Sequence, residues 1–234
     1  MTTLNLFAGV VIVAAGRGER FGNSDKVLAE AAGRPLLCWS VAAALAASVV
    51  SEIVVVAGAH NREAIEDALR TGFPAQSIAV CTGGPRRQDS VMAGLSALKT
   101  SPEIAVIHDA ARPLATAAMF DAAALAAEVH GAAITAVPVT DTIKEVEGSM
   151  VVRTIDRTSL QAAQTPQAYR RSLLEQAFSR TQAPGMQFTD EAELLESLGH
   201  AVAIIEGARS NLKVTIPEDL AMIDFLLTKR SGGA

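Results

Sequence analysis

Apolar runs of strand length recur at residues 8–14, 53–57, 78–81, 104–107 and 133–137, each rich in Val, Ile or Ala and each without polar alternation. Runs of that kind are strands buried on both faces. Helix-period segments separate them, at 36–48, 62–70, 88–99 and 116–130, and the last two open with polar residues suited to a first turn. Strand and helix in alternation build right-handed βαβ units. The predicted fold class is therefore α/β, a Rossmann-like, mostly parallel sheet flanked by helices.

The rhythm changes after residue 137. The stretch 142–146, a Glu147-Gly148 turn and residues 150–155 read as a β-hairpin that projects from the sheet. Its apolar side chains need cover, and a second copy of the chain is the simplest source, so a homodimer joined through a hairpin arm at 141–156 is expected. Helices near 171–181 and 190–198, strands at 201–206 and 212–215, and a helix starting at Pro217 complete the reading. The final Ser-Gly-Gly-Ala has the composition of a frayed end. A length of 234 residues with no internal repeat is compatible with one domain spanning 1–234 on one continuous sheet.

No apolar run approaches the roughly 20 residues that cross a bilayer, and residues 4–13 lead straight into a glycine-rich loop without the marks of an export signal. A soluble, cytoplasmic protein with no membrane partner is expected. Cys38 and Cys81 lack metal-like spacing and read as reduced, buried thiols. With a net charge of −5, one Trp and one Tyr, the chain lacks the basic, aromatic surface that a nucleic acid requires. A small anionic ligand, met by local cations, fits better.

The first strand runs into AAGRGERFG at 14–22. Gly16 and Gly18 permit close backbone approach and positive φ, and Arg17, Arg20 and Lys26 add charge, so polyphosphate is the natural ligand. In open α/β sheets such a loop lies beyond the carboxyl ends of the strands, where ligands bind. The dinucleotide fingerprint fails because its third glycine would fall on Phe21, and GxxxxGK[ST] does not occur. A nucleoside triphosphate gripped by side chains remains.

AAGxGxR after a first strand, followed by a lysine, resembles the opening of the nucleoside-diphosphate-sugar pyrophosphorylase-like nucleotidyltransferases. GGPRRQDSV at 83–91, HDAARP at 108–113, VPVTDTIK at 137–144, TPQ at 165–167, TDEA at 189–192 and NLKVTIPEDL at 211–220 narrow the resemblance to the 2-C-methyl-D-erythritol 4-phosphate cytidylyltransferase family. It covers the chain from Val10 to about Leu227, with the motifs in the family's order. Two positions depart from the pattern: Asp25 stands where the family usually has proline before the loop lysine, and Pro85 where an acidic residue is common.

The resemblance implies transfer of CMP from CTP to an alditol phosphate with Mg²⁺ as cofactor. Arg20, Lys26 and Lys213 match the positions that hold the triphosphate and its transition state. Ala14, Ala15, Gly16, Gly18, Gly83, Gly84, Ser90 and Asp109 match the nucleotide site, where backbone groups near Ala14, Gly83 and Gly84 read cytosine and Pro85 has no N–H to offer. Asp109 reads either as the Mg²⁺ ligand or as a helix N-cap, and its HDAARP context favours the metal. Arg112, Thr142, Arg157, Thr165 and Thr189 match the acceptor pocket, with Arg157 reaching the neighbouring subunit's site. His108 reads as structural, and Asp141 and Lys144 suit either the site or an ordinary hairpin surface.

The phosphate nucleophile is already ionised, so no covalent enzyme intermediate is expected. A ribitol 5-phosphate cytidylyltransferase shares the donor motifs and differs only in the acceptor pocket. A noncatalytic nucleotide-binding module is disfavoured by the retained Arg20, Lys26, Asp109 and Lys213. A nicotinamide oxidoreductase would need the glycine pattern that is absent.

Overall fold

The computed structural model describes residues 6–16, 18, 21, 22, 25–180 and 187–231. Arg17 and Arg20 lie outside the described residues, as does the 232–234 tail. Strands β1 (Ala8–Ala14), β4 (Val50–Ala57), β5 (Ala79–Thr82), β6 (Ile104–Asp109) and β7 (Ala132–Pro138) form where the apolar runs predict them. Between them stand α1 (Leu36–Leu45), α2 (Arg62–Gly72), α3 (Arg87–Ala97) and α4 (Ala117–His130). A short ribbon, β2 (Glu30–Ala31) with β3 (Arg34–Pro35), precedes α1 and has no apolar run to announce it.

The main sheet has seven strands in the order β11-β7-β10-β6-β1-β4-β5, with β11 at Ala203–Glu206 and β10 at Gln161–Arg170. β1 lies inside the sheet, parallel to both neighbours, pairing Val10 with Ile53 on one side and Val106 on the other. Its Val10, Val11 and Ile12 have no exposed surface. Each such burial contributes roughly 2 kcal/mol. Val10 and Ile12 pack with Val41, Ile65 and Phe120, while Val11 packs on the opposite face with Val91, Leu95 and Leu174.

β10 is antiparallel to both β6 and β7, so the sheet is mostly but not wholly parallel. Sequence reasoning misses it because QAAQTPQAYR is polar and contains proline, which normally demotes a strand to an edge. Here a register shift between Gln164 and Gln167 lifts Thr165 and Pro166 out of the ladder, and the Thr165–Pro166 peptide is cis. Its buried polar groups are paired: Gln164 donates to Ala208 O at 2.9 Å, Gln167 to Asp190 at 2.9 Å, and the Tyr169 hydroxyl to Gln167 at 2.7 Å. Satisfied in this way, polar side chains are tolerated inside a sheet.

β8 (Ile143–Glu147) and β9 (Met150–Ile155) form the predicted hairpin as a separate two-stranded sheet, turning at Gly148 with φ of 57°. Val146, Met150, Val151 and Val152 on it are exposed. Helices α5 (Arg171–Arg180), α6 (Glu191–Ser197) and α7 (Asp219–Ser231) follow.

Two expectations need correction. Residues 212–215 are irregular and not a strand: the backbone there makes a single tie, Val214 N–H to Ala111 O at 2.9 Å, while neighbouring donors serve turns. Pro217 sits in the turn ahead of α7, whose first turn begins at Asp219, because the Asp219 carboxylate accepts from the Thr215 and Ile216 N–H groups and fixes the entry there. Both cysteines are free; Cys38 is buried, but Cys81, on the outermost strand, is only half-buried.

Candidate active site

The loops after β1, β5 and β6 meet at the carboxyl edge of the sheet and line a cavity of about 230 Å³, and the loop after β4 lines the cavity beside it. Ala14, Ala15, Gly16, Gly18, Lys26, Gly84, Ser90, Asp109 and Lys213 line it, and Gly83 lines an adjoining cavity of about 760 Å³. Gly18 has the positive φ expected of the loop, 60°. Gly83 is required by close approach: a Cβ there would lie 2.5 Å from Ser90 Oγ and 2.9 Å from Ala15 Cβ. Ser90 is buried and donates to Arg86 O at 3.2 Å, which fixes the loop after β5 over the start of α3.

Asp109 ends β6 and stands among cations. Lys213 Nζ is 2.6 Å from its Oδ2, Arg87 Nη2 is 3.7 Å from its Oδ1, and Arg112 Nε is 4.0 Å from Oδ2. Burial alone would raise this carboxyl, but Lys213, Arg87 and Arg112 outweigh it and hold the group well below the usual carboxylate range. It is ionised at any physiological pH.

Lys213 reaches this place from the far end of the chain because its neighbours are anchored. Asn211, fully buried, donates to Thr165 O at 2.9 Å, and its carbonyl accepts from Arg112 at 2.8 Å. Val214, also fully buried, joins Phe21, Leu36, Leu114, Ile223 and Leu227 in a third apolar cluster. That cluster seats α7 and the residues after β1 against each other, so segments from both ends of the sequence share one wall.

The acceptor-side residues are placed differently. Arg112 is largely buried and spends its guanidinium on Asn211 O and, at 3.3 Å, Ala163 O; burial lowers its affinity for the proton. Thr165 is buried behind Asp109, accepting from the Asp109 N–H at 3.0 Å. Thr142 and Arg157 are exposed beside the hairpin, where Arg157 donates to Thr140 O. Thr189 is exposed and bonds to Glu193, four residues on. None of these five lines the cavity. Asp141 and Lys144 are exposed, with Lys144 donating to Thr154 across the hairpin at 2.6 Å. His108 is fully buried, 3.0 Å from Thr165 Oγ1, and burial depresses its pKa to about 4.

Two cations on the cavity wall, Arg86 and Arg87, go beyond the candidates named from sequence. Arg87, the first residue of α3, donates two hydrogen bonds from Nη1 to both oxygens of Glu191, at 2.7 and 2.9 Å. Glu191 is 2% exposed; burial raises its carboxyl and Arg87 opposes that, while Glu191 and Asp109 keep the guanidinium charged. The only signal was that GGPRRQDSV and TDEA each carry one partner of this pair, 104 residues apart.

Among the described residues no group of three or more His, Cys, Asp or Glu gathers around a metal position. The donor set therefore fits a hard divalent cation in one way: Asp109 offers one carboxylate, and oxygens of a bound polyphosphate and water complete the shell. Mg²⁺ is commonly held like this; among the described residues no site is closed by protein ligands alone.

A mostly parallel sheet whose carboxyl edge converges Lys213, Arg87 and Arg112 on one ionised carboxylate defines a nucleotide-handling α/β protein suited to phosphoryl chemistry. Comparison with known proteins narrows the class. Residues 8–229 match the family described as 2-C-methyl-D-erythritol 4-phosphate cytidylyltransferase. Relatives of that name are 39% identical over 228 residues in Dehalococcoides mccartyi, covering 97% of this chain and 98% of the relative, and 42% identical over 224 residues in a Synechococcus species, covering 95% and 98%. Among solved structures, the 4-diphosphocytidyl-2C-methyl-D-erythritol synthase of Anaerococcus prevotii matches with a TM-score of 0.84 at 28% identity, covering 96% of this chain and 97% of that one. The 2-C-methyl-D-erythritol 4-phosphate cytidylyltransferase of Thermus thermophilus matches with a TM-score of 0.76 at 29% identity, covering 94% and 98%. The chain belongs to this family of cytidylyltransferases.

Proposed function

We propose that the protein transfers CMP from CTP to 2-C-methyl-D-erythritol 4-phosphate, giving 4-diphosphocytidyl-2-C-methyl-D-erythritol and pyrophosphate in isoprenoid precursor synthesis. The observation that carries this reading is the meeting of Lys26, Lys213 and ionised Asp109 around one cavity at the sheet edge, in a family member matched over nearly its whole length.

In this reading an acceptor phosphate oxygen attacks the α-phosphorus of CTP while the bond to pyrophosphate breaks, in a single displacement. Lys26 and Lys213, together with Arg20, balance the charge of the triphosphate and of the crowded phosphoryl group. Lys213 is paired with Asp109 at 2.6 Å, which holds its ammonium in place. Asp109 would hold Mg²⁺ together with phosphate oxygens, the ion supplying charge neutralisation when bound. Backbone groups of Ala14, Gly83 and Gly84 and the Ser90 hydroxyl would read the cytosine. Ala15, Gly16 and Gly18 let the chain approach the phosphates closely.

Arg112, Thr142, Arg157, Thr165 and Thr189 form the acceptor side. Exposed Val146, Met150, Val151 and Val152 support a homodimer joined through 141–156, in which Arg157 serves the partner's site. A monomer by sedimentation at micromolar concentration would contradict this. One catalytic domain spanning 1–234 and a cytoplasmic setting complete the reading; among the described residues no helix is long and apolar enough to cross a membrane.

The decisive experiment measures pyrophosphate release from CTP and Mg²⁺ with 2-C-methyl-D-erythritol 4-phosphate or ribitol 5-phosphate as acceptor. Release with the first and not the second is expected; the reverse preference would overturn the acceptor assignment. A CMP adduct trapped on the enzyme with labelled CTP would overturn direct transfer.

A further inference from the structure

A carboxylate beside a loop that accepts a polyphosphate opposes binding unless its charge is used locally. Asp25, directly before Lys26, is such a group, and the structure uses both of its oxygens. Oδ1 accepts from the Val27 N–H at 3.1 Å and caps the 3₁₀ turn Lys26–Leu28. Oδ2 accepts from Asn61 Nδ2 at 2.5 Å and lies 3.4 Å from His60 Nε2. Asn61 is 4% exposed; its Nδ2 also reaches Ala14 O at 3.1 Å, and its Oδ1 accepts from the Gly58 N–H at 2.8 Å. One buried amide thus ties together the end of β1, the loop after β4 and the residue that precedes the loop lysine. His60 and Lys26 line the outer cavity together.

We propose that Asn61, with His60 beside it, is a positioning residue for CTP: its amide donates to Asp25 and holds it, and so aims Lys26 at the triphosphate. This rests on the role given to Lys26 above. The backbone at Asp25 has φ of −71° and ψ of 114°, within the range a proline ring imposes. A proline there fixes the same path with no charge to satisfy. The importance of Asn61 is therefore conditional on Asp25, which is a statement about coupling and not about Asn61 alone.

The test is a set of double-mutant cycles read by calorimetric CTP affinity in the presence of Mg²⁺, by kcat and by thermal melting. Asn61→Asp keeps the acceptor for Gly58 N–H but turns the donor facing Asp25 into a second carboxylate. In the unaltered background it should weaken CTP binding about tenfold or more, with a smaller fall in kcat at saturating CTP. With Asp25→Pro in place the same change should cost less than about threefold, and the double variant should recover affinity lost by Asn61→Asp. Equal weakening in both backgrounds would overturn the proposal, because Asn61 would then act only through Gly58 and Ala14. No effect of Asn61→Asp in the unaltered chain, or an Asp25→Pro chain that fails to fold, would overturn it too. Failure of the unaltered protein to bind CTP would sink both this inference and the reading of the site, whereas equal effects in a CTP-binding protein sink this inference alone.

Discussion

Ala14, Ala15, Gly16, Gly18, Lys26 and Gly84 meet around one cavity, whereas Thr142, Arg157 and Thr189 stand exposed and away from it, and Arg112 and Thr165 are buried behind its wall. The donor side is built on the ends of buried parallel strands, which hold their loops rigidly. The residues proposed for the acceptor are spread over the hairpin, polar turns and the space behind the cavity wall, and the hairpin leaves Val146, Met150, Val151 and Val152 exposed. In the proposed reading, the nucleotide end rests on the seven-stranded sheet and the acceptor end leans in part on the separate hairpin.

The largest expected effect is on the donor side. Lys213→Ala should lower kcat/KM by about 10²–10³, with a much smaller effect on stability because Arg87 and Arg112 still face Asp109. A loss below about tenfold would mean that the converging cations are not where catalysis is supplied. Next, Glu191→Ala leaves Arg87 without its buried partner and should cost about 3 kcal/mol in urea denaturation. If stability holds while CTP affinity falls, the pair belongs to the site more than to the scaffold.

On the acceptor side, Met150→Lys removes an exposed apolar contact, 72% accessible in the single chain, from the proposed dimer face. It should weaken dimerisation by about 2 kcal/mol, or about thirtyfold, and raise KM for the acceptor while leaving CTP affinity intact. An equal loss on both substrates would erase the contrast between the two sides.

The smallest effect concerns His108, which lies beneath both. Its pKa is lowered from 6.5 to about 4 in the fold, so the unfolded chain takes the proton first as pH falls. Stability is therefore complete above pH 6.5 and declines below it, by about 1 kcal/mol between pH 7 and 5.5. Melts in EDTA comparing the unaltered protein with His108→Asn should show the steeper pH dependence in the former.

The parallel half of the fold was legible because continuous apolar runs admit only buried strands, and the hairpin because its alternation and Gly148 turn follow local rules. β10 was not legible: its stability comes from side-chain pairings with Ala208, Asp190 and Asp109 that are remote in sequence, and nothing local in QAAQTPQAYR records them. The stretch carrying Lys213 was misread for the same reason, since Leu212 and Val214 look like a strand but are held by Asn211 and by packing against α7. In the site, glycine and motif chemistry brought out the nucleotide loop and Asp109. Arg87 was passed over because an arginine beside another arginine reads as surface until Glu191, far along the chain, is seen beneath it.

The apolar cluster that joins Phe21 and Leu36 to Val214, Ile223 and Leu227 also sets a timetable. During synthesis β1, β4 and β5 emerge early and have their neighbours within the first half of the chain. The residues flanking the phosphate loop gain their covering helix only when the last part leaves the ribosome. A nascent or clipped chain lacking that helix would keep its sheet yet be unable to do chemistry, which delays competence for turnover until translation is nearly complete.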